Sequence, residues 1–306
     1  MRPRELDLSM FDAGYDVGTQ VLTTRGWQTF TDLQNDDRVF VWSNGTLDLE
    51  RVLECYTRKY EGLMYPIINR HIDIFCMPGT KILAKVRPHT RTEIAENWSD
   101  TRAEYIKPTW QLQIPIAGRW EGVKMMIPNS AYELGLWCSG LLKEGVDISL
   151  DRDSIRLLHQ LIDDREFVAR TQDEYARIIK LMKSTNQPQD LTWDMLMWSY
   201  PARKNLLAGL MDGKGRRYPP ALVWLFLSTR EGKLDVFQAL AMSLGWRAQI
   251  SDGNGVFFST SKSTSSVFYK HRRPPENWAG VVWNIKTDAG HMVVRRERKI
   301  AIVSTL

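Results

Sequence analysis

The pattern of apolar residues changes twice along the 306-residue chain, and this order constrains the fold more than any other feature. Between residues 19 and 86, short alternating apolar segments are separated by turn residues, which is typical of β-strands. The stretch from residue 130 to about 252 instead shows helical periodicity, at 154–158, 175–182 and 234–244. Residues 281–303 return to short strand-like segments. We therefore expect an α+β protein whose two β-rich ends fold together around a mixed insert.

Turn residues sharpen this prediction. Asn44-Gly45 follows an apolar run, and Asn-Gly between two such runs favours a two-residue β-hairpin turn. Arg25-Gly26 and residues 252–255 (DGNG) predict further turns. We place the boundaries near residues 125 and 270, which gives an N-terminal part (1–125), an insert (126–270) and a C-terminal part (271–306).

Composition narrows the class of protein. There is no run of about eighteen apolar residues and no apolar signal core at residues 1–10, so we expect an intracellular protein without a membrane span. The three cysteines lack CxxC spacing, which predicts buried thiols rather than disulfides or structural zinc. We expect no metal and no cofactor. The net charge of +5 is compatible with nucleic-acid binding but does not indicate it.

The chain contains 12 tryptophans, a high content for its length. Core filling is the favoured explanation, because an indole ring supplies a large buried area. The alternative is a set of interface anchors. Its candidates are Trp27, Trp120, Trp193, Trp198 and Trp278.

Several segments, in the right order, resemble the Hint domain of inteins. They are residues 18–27 (GTQVLTTRGW), 32–33 (DL), 37–42 (DRVFVW), 60–65 (YEGLMY), 69–73 (NRHID), 282–284 (VWN) and 292–296 (MVVRR). The resemblance covers most of residues 14–86 and 281–306. It implies a β-rich self-splicing module formed from both ends of the chain.

A second resemblance lies inside the insert. Residues 207–215 (LAGLMDGKG) match six of the nine positions of the LAGLIDADG motif, and residues 133–141 (ELGLWCSGL) are the candidate partner motif. In the nucleases that carry this motif, two helices pack through small residues, which here would be Gly135, Ala208 and Gly209. Each helix delivers one carboxylate to hold divalent metal at the scissile phosphates.

The nuclease chemistry is missing from these motifs. The metal-holding acid belongs at the eighth position, which is Gly140 in the first motif and Lys214 in the second. Asp212 lies two residues earlier, about 200° around a helix, so we interpret it as a cap or surface residue. Glu144 would reach the site only if the first motif slipped in register. A single acid opposite Lys214 would still be a poor metal site.

The splicing chemistry is missing as well. The resemblance places Gly14 where the family needs a Cys or Ser nucleophile, and Thr80 where it needs the activating His. The terminal His-Asn pair aligns with Ser304-Thr305, and Asn284 is a further altered position in the C-terminal hairpin. Ser9 and His71 are weak substitutes, better explained as a cap and a strand-edge residue.

A fold that is kept while its chemistry is lost indicates selection for shape. The first hypothesis is therefore a non-catalytic structural or interaction protein with protein partners. Because inteins of this layout are common in phage genomes, we expect a subunit of a viral or nucleoprotein assembly, located in the host cytoplasm or the virion.

Two other hypotheses remain open. The second is binding of double-stranded DNA without cleavage, through basic residues suitably placed for phosphates. Those residues are Lys214, Arg216, Arg217, Lys262, Lys270, Arg272 and Arg273. The third is residual nuclease or self-processing activity that uses displaced residues such as Glu144 and Asp212.

Overall fold

Two compact units make up the protein. The computed structural model describes residues 4–5, 12–34, 36–88, 93–125, 128–140, 177, 180–183, 189–218, 223–251, 255–268 and 273–306. Unit 1 combines Met1–Arg119 with Lys262–Leu306, and unit 2 is Trp120–Ser261. The division therefore falls at residues 119/120 and 261/262, whereas the sequence led us to place it near 125 and 270. Strands and helices are both present, so the α+β class is confirmed.

Unit 1 is built almost entirely from β-strands, numbered here in chain order over both units. They are β1 (Arg4–Glu5), β2 (Tyr15–Asp16), β3 (Gln20–Thr23), β4 (Gly26–Gln28), β5 (Arg38–Ser43), β6 (Thr46–Arg51), β7 (Glu54–Ile68), β8 (Asp73–Cys76), β9 (Lys81–Arg87), β10 (Ser99–Arg102), β11 (Gln111–Pro115), β16 (Thr264–Val267), β17 (Glu276–Lys286), β18 (His291–Arg296) and β19 (Lys299–Ser304). A short 3-10 helix spans Ala103–Tyr105.

Three sheets organise these strands, and both ends of the chain contribute to each. The first has the order β1-β7-β17-β2-β8, with β8 also pairing to β7. The second has the order β19-β18-β3-β5-β6, with β4 on β3, and the third is β10-β9-β11-β16. The longest pairing joins β17 to β7, from Glu276 opposite Met64 to Lys286 opposite Glu54. C-terminal strands thus lie within the N-terminal sheets.

Two tight hairpins each turn at a pair of residues with positive φ but have very different sequences. Asn44 and Gly45 have φ angles of 47° and 97°, and Ser43 pairs with Thr46 across them. This is the predicted Asn-Gly turn. Glu297 and Arg298 have φ angles of 46° and 59° between the paired Arg296 and Lys299. No glycine or asparagine marks this second turn in the sequence.

Tryptophans fill the cores of both units. Trp27, Trp120 and Trp198 are buried, while Trp193 and Trp278 are half-buried. The alternative of exposed anchors is therefore wrong for Trp27, Trp120 and Trp198, whereas the half-buried Trp193 and Trp278 do not test it. Trp283 is fully buried in the main core of unit 1, where its indole N–H donates to the carbonyl of Asp16 at 3.0 Å. Core filling explains the tryptophan content.

Unit 2 combines helices with a four-stranded antiparallel sheet. Its elements are α1 (Pro128–Ser139), a 3-10 helix (Trp193–Met197), α2 (Tyr200–Lys214), β12 (Gly215–Tyr218), β13 (Val223–Leu227), α3 (Glu231–Ser243), β14 (Arg247–Ser251) and β15 (Gly255–Ser259). The sheet order is β12-β13-β15-β14. The predicted helix at 234–244 is confirmed as α3. The pattern at 154–158 lies outside the described residues, and of residues 175–182 only 177 and 180–182 are described, all of them helical.

The ring of Phe237 on α3 anchors the sheet of unit 2. It stacks on Phe226 of β13, with ring centroids 4.4 Å apart, and lies 5.5 Å from Phe258 of β15. Trp246 stacks on the other side of Phe258 at 5.8 Å. These contacts define the buried face of the sheet, because side chains alternate between faces along each strand.

Helices α1 and α2 approach most closely at Gly135 and Gly209. A Cβ atom at Gly135 would overlap the carbonyl oxygen of Leu206, and one at Gly209 would overlap that of Tyr132. The added Cβ atoms would also lie 2.9 Å from equivalent amide nitrogens, of Leu210 and Leu136 respectively. The contact is therefore pseudo-symmetric, and the close approach expected from these glycines is observed.

We expect Gly209→Ala to destabilise unit 2 by about 1–3 kcal/mol, because the added methyl group must push two helix backbones apart. Gly232 is the matched control, since it is also helical but has no atom within 4 Å of the position a Cβ would take. Gly232→Ala should leave stability unchanged or raise it by up to about 1 kcal/mol. Chemical denaturation measures both, and equal effects of the two substitutions would contradict the packing argument.

Candidate functional site

Gly14 and Thr80, two positions singled out in the sequence, are in direct contact in unit 1. The amide of Gly14 donates to Thr80 Oγ1 at 2.9 Å, and the Thr80 hydroxyl lies 3.2 Å from the Gly14 carbonyl oxygen, to which it can donate. The Met77 amide also donates to that carbonyl, at 2.9 Å. Thr80 is only 1% exposed. The peptide groups of Gly14 are thus held by hydrogen bonds, and neither side chain here is a strong nucleophile.

The Cys76 thiol is the nucleophilic group nearest this contact. Cys76 pairs with Tyr15 between β8 and β2, and its thiol interacts with the Thr80 side chain. Burial raises the pKa of the Cys76 thiol to about 12, and Thr80 only partly opposes this. Because the thiolate is the reactive form, Cys76 is inert near neutral pH.

The C-terminal end of the chain reaches the same region through Tyr15. The Tyr15 hydroxyl donates to the carbonyl of Ser304 at 2.8 Å. Thr305 follows, with its hydroxyl oxygen 3.4 Å from that of Thr287. Asn284 is 1% exposed, and its side-chain oxygen accepts from the Ile285 amide at 2.8 Å. The four altered positions of the Hint-like pattern are therefore all buried in unit 1, with Tyr15 linking the Gly14 end to the Ser304-Thr305 end.

A polar cluster that the sequence analysis did not identify lies beside Ser304. The Ser304 hydroxyl donates to Asp100 Oδ1 at 2.7 Å, and His291 Nε2 lies 3.1 Å from the same oxygen. Burial alone would raise the pKa of Asp100, but the hydrogen bonds from His291 and Ser304 outweigh it and hold this pKa below its ordinary value. Serine and histidine both bind the carboxylate, an arrangement that differs from a nucleophile-base pair.

The register of the last hairpin brings His291 opposite Ser304. That register depends on the two-residue turn at Glu297-Arg298, which carries no glycine or asparagine signal. Asp100 comes from β10, far away in the sequence. A correct turn assignment would have paired His291 with Ser304, but no local signal places Asp100 beside them.

We expect Asp100→Asn to lower stability at pH 7 by on the order of 1 kcal/mol. The folded pKa of Asp100 is depressed, so the ionised carboxylate stabilises the fold above its ordinary pKa of about 3.9. That contribution is lost as the pH falls through the lowered pKa. The stability difference between wild type and variant should shrink below about pH 4, and a difference independent of pH would contradict the assignment.

A buried ionic network ties the strands around this centre together. Arg296 donates to Asp16 Oδ1 at 2.9 Å and to Asp73, and both carboxylates belong to residues only 6% exposed. Burial would lower the pKa of Arg296, but Asp16 and Asp73 together raise it. Lys299 lies 3.8 Å from Asp73. The network joins β2, β8 and β18 and has a structural role.

The nuclease-like positions of unit 2 carry no pair of acids in the described residues. Gly140 ends α1 with a φ angle of 72°, and Lys214 is the last residue of α2. Asp212 is only 3% exposed and accepts a hydrogen bond from the Tyr132 hydroxyl on α1. The interpretation of Asp212 as a cap or surface residue is therefore wrong, because this hydroxyl reaches it across the helix pair. Glu144 lies outside the described residues.

The basic residues proposed for DNA are divided between the two units. Arg216 and Arg217 lie on β12 in unit 2, where the Arg216 side chain is exposed. Lys262 and Arg273 are exposed but belong to unit 1. Lys270 and Arg272 lie outside the described residues, as does the side chain of Lys214. These residues therefore do not form one basic patch within a unit.

The face of the unit 2 sheet opposite α3 has an apolar centre and a polar rim. Arg216, Leu225, Phe257 and Gln249 stand opposite one another across the four strands, so they share this face. Leu225 and Phe257 form the centre, with Leu225 buried and Phe257 half-buried. Arg216, Gln249 and Arg247 form the rim at the two outer strands. We call this surface the open face.

The described residues include neither a membrane-crossing helix nor a metal-binding group of side chains. No helix among them is long and apolar enough to cross a membrane. No three His, Cys, Asp or Glu side chains in that part of the chain come together as a metal-binding group.

No protein-family model matches this chain. A stretch of 75 residues is 31% identical to the ATP-dependent Clp protease proteolytic subunit of Chlamydomonas moewusii. The match covers 24% of this chain and only 7% of that protein. So short a match establishes neither a family nor an activity.

Proposed function

We propose that this chain is a non-catalytic interaction protein, an intein-like Hint module with a LAGLIDADG-type insert that serves as a subunit of a viral or nucleoprotein assembly. The observation that carries the proposal is the contact between Gly14 and Thr80. The resembling proteins need a nucleophile and an activating histidine at these two positions. This chain instead has Gly14, whose backbone is hydrogen-bonded to the Thr80 hydroxyl.

The surroundings of this contact support an inert centre. Acyl transfer needs a nucleophile that can be deprotonated near a carbonyl carbon. Cys76 is the nearest thiol, but its pKa is about 12, and Tyr15 has a pKa raised well above 10 by burial. Both groups stay protonated at neutral pH.

The pseudo-symmetric glycine contact of α1 and α2 supports the LAGLIDADG-type assignment of unit 2. The absence of an acid at positions 140 and 214, which are Gly140 and Lys214, supports the loss of DNA cleavage.

The open face of unit 2 is the surface that best fits a protein partner. An apolar centre with a charged and amide rim is the usual anatomy of a protein interface. Leu225 and Phe257 form the apolar centre, of which the half-buried Phe257 is the accessible part, and Arg216 is an exposed rim residue of a type favoured at interfaces.

The double substitution Gly14→Cys with Thr80→His tests the Hint-like assignment. Gly14 is not among the residues with positive φ, so its backbone accepts a side chain. If the alignment is right, the new thiol and imidazole restore the missing pair, and dithiothreitol should release residues 1–13. The readout is a fall in intact mass from the 35.5 kDa of the chain.

The matched control for that experiment is Gly14→Ala with Thr80→His, which adds the histidine without a nucleophile. It should remain intact under the same conditions. A double variant that folds but stays uncut would remove the support that the Hint resemblance gives to this proposal.

Binding of double-stranded DNA without cleavage is the second candidate. The observation that favours it is that Arg216, Arg247 and Gln249 share one face of a four-stranded sheet. Arginine side chains contact phosphates and guanine edges in protein–DNA complexes, and glutamine contacts adenine. The apolar centre between them favours the protein partner instead.

Fluorescence anisotropy with random duplex DNA, across a salt series and without divalent metal, distinguishes the two candidates. If DNA binds through the open face, Arg216→Glu should weaken binding and reduce the log-log salt slope by about 1. Lys286→Glu is the control, because Lys286 is exposed in unit 1 and is not among the residues proposed to contact DNA. No binding at low salt would exclude the DNA candidate, and equal effects of both variants would remove the open face as its site.

A further inference from the structure

The tip of the β5–β6 hairpin presents an exposed Asn-Gly pair. The residues from Ser43 to Thr46 are all exposed, and Asn44 and Gly45 form the two-residue turn between the paired Ser43 and Thr46. No atom lies within 4 Å of the position that a Cβ would take on Gly45. The Asn44 side chain forms no hydrogen bond with any residue that the structure describes. An attack on the Asn44 carboxamide by the next backbone amide therefore meets no steric obstacle at Gly45.

The Gly45 amide nitrogen is the nucleophile that follows this carboxamide directly along the chain. In a two-residue hairpin turn, the ladder bonds join the residues that flank the turn, which here are Ser43 and Thr46. The ladder therefore does not engage the Gly45 amide. Once this amide loses its proton, its nitrogen can attack Cγ of Asn44 and close a cyclic imide.

We propose that Asn44 is a site of spontaneous deamidation and backbone isomerisation. The Gly45 nitrogen forms a bond to Asn44 Cγ, and the bond from Cγ to the side-chain nitrogen breaks, so that ammonia leaves and a cyclic imide remains. Water then adds to either imide carbonyl and cleaves its bond to the Gly45 nitrogen. One product has aspartate at position 44, and the other continues the backbone through the former side chain. No oxidant or reductant is needed, because water is the only co-reactant.

The same hairpin holds the segment that leads from unit 1 into unit 2. The Arg119 amide donates to the Gly45 carbonyl at 2.8 Å, and the Leu47 amide donates to the Arg119 carbonyl at 2.8 Å. Gly118 lies so close to the side chains of Trp42 and Leu47 that a Cβ there would come within 3.0 Å of both. We call these contacts the latch.

The two products have different effects on the latch. Aspartate followed by glycine favours the same two-residue turn as Asn-Gly, so direct hydrolysis to aspartate leaves the hairpin in register. The isomerised product adds one carbon atom to the main chain between positions 44 and 45. The Gly45 carbonyl then shifts relative to Arg119, because the hairpin register depends on the length of the turn. We expect this product to open the latch.

This inference does not rest on the function proposed above, since the reaction needs only the turn and water. Incubation of the full-length protein at mildly alkaline pH, followed by peptide mapping, tests the modification. The wild type should convert at position 44 to both products, which mass spectrometry with electron-based fragmentation separates. Peptide mapping also separates this site from the other Asn-Gly pair, at 254–255.

Two controls accompany this experiment. Asn277 is the internal control, because it is exposed but lies in the paired strand β17 and is followed by the bulky Trp278. It should remain unmodified over the same period. Asn44→Gly is the matched variant, because a Gly-Gly turn keeps the hairpin and removes the carboxamide.

Brief trypsin digestion of the aged protein tests the latch. Trypsin cleaves after arginine, so the rate of cleavage after Arg119 reports release of the segment. The isomerised fraction should be cut there about tenfold faster than fresh protein, as expected from two lost backbone hydrogen bonds. Aged Asn44→Gly should be cut no faster than fresh Asn44→Gly. Gly118→Ala, which forces the segment away from Trp42 and Leu47, should be cut faster without ageing.

Three results would overturn the proposal. Full retention of asparagine at position 44, while the urea-unfolded chain converts there, would show that the folded turn prevents the attack. Equal conversion at Asn277 would show that the turn has no special reactivity. Conversion without faster cleavage after Arg119 would show that the isomerised backbone leaves the latch closed.

Discussion

The pairing of β17 with β7 is the constraint on which the rest of unit 1 depends. It lays a C-terminal strand along the longest N-terminal strand, and β2 joins its other side where Trp283 stands opposite Tyr15. Tyr15 is buried, so its hydroxyl needs a partner, and the carbonyl of Ser304 supplies one. Residues far apart in the sequence therefore meet because of backbone pairing. No catalytic side chain is needed to bring them together.

Under the proposed Hint-like assignment, these contacts explain how the fold could persist without the chemistry. The hydrogen bonds around Gly14 involve its own amide and carbonyl, the Met77 amide and the Thr80 hydroxyl, and every polar group at this contact has a partner. Replacing a nucleophile by glycine at such a position removes reactivity without leaving a buried group unsatisfied. In unit 2 the helix pair likewise depends on Gly135 and Gly209, not on the altered acid positions. Under the proposed function, the residues that hold the shape differ from those that the resembling proteins use for activity.

Local signals in the sequence predicted local structure well. The Asn44-Gly45 turn, helix α3 and the close approach at Gly209 each follow from a residue type whose backbone or size requirement is specific. The predictions failed for residues whose environment is set by contacts between segments far apart in the sequence. Asp212 is buried because Tyr132 reaches it from another helix, and Asp100 joins His291 and Ser304 through a sheet edge remote in sequence. Tryptophan patterns could not separate core from interface, because both uses favour the same side chain.

Intact-mass spectrometry of the wild-type chain, after prolonged incubation with dithiothreitol from mildly acidic to mildly alkaline pH, tests the central claim most directly. An inert centre at Gly14 and Thr80 predicts a single species at 35.5 kDa under every condition. Accumulation of a species lacking residues 1–13, or of any other defined fragment that depends on this thiol, would show that the centre still transfers acyl groups and would contradict a non-catalytic role.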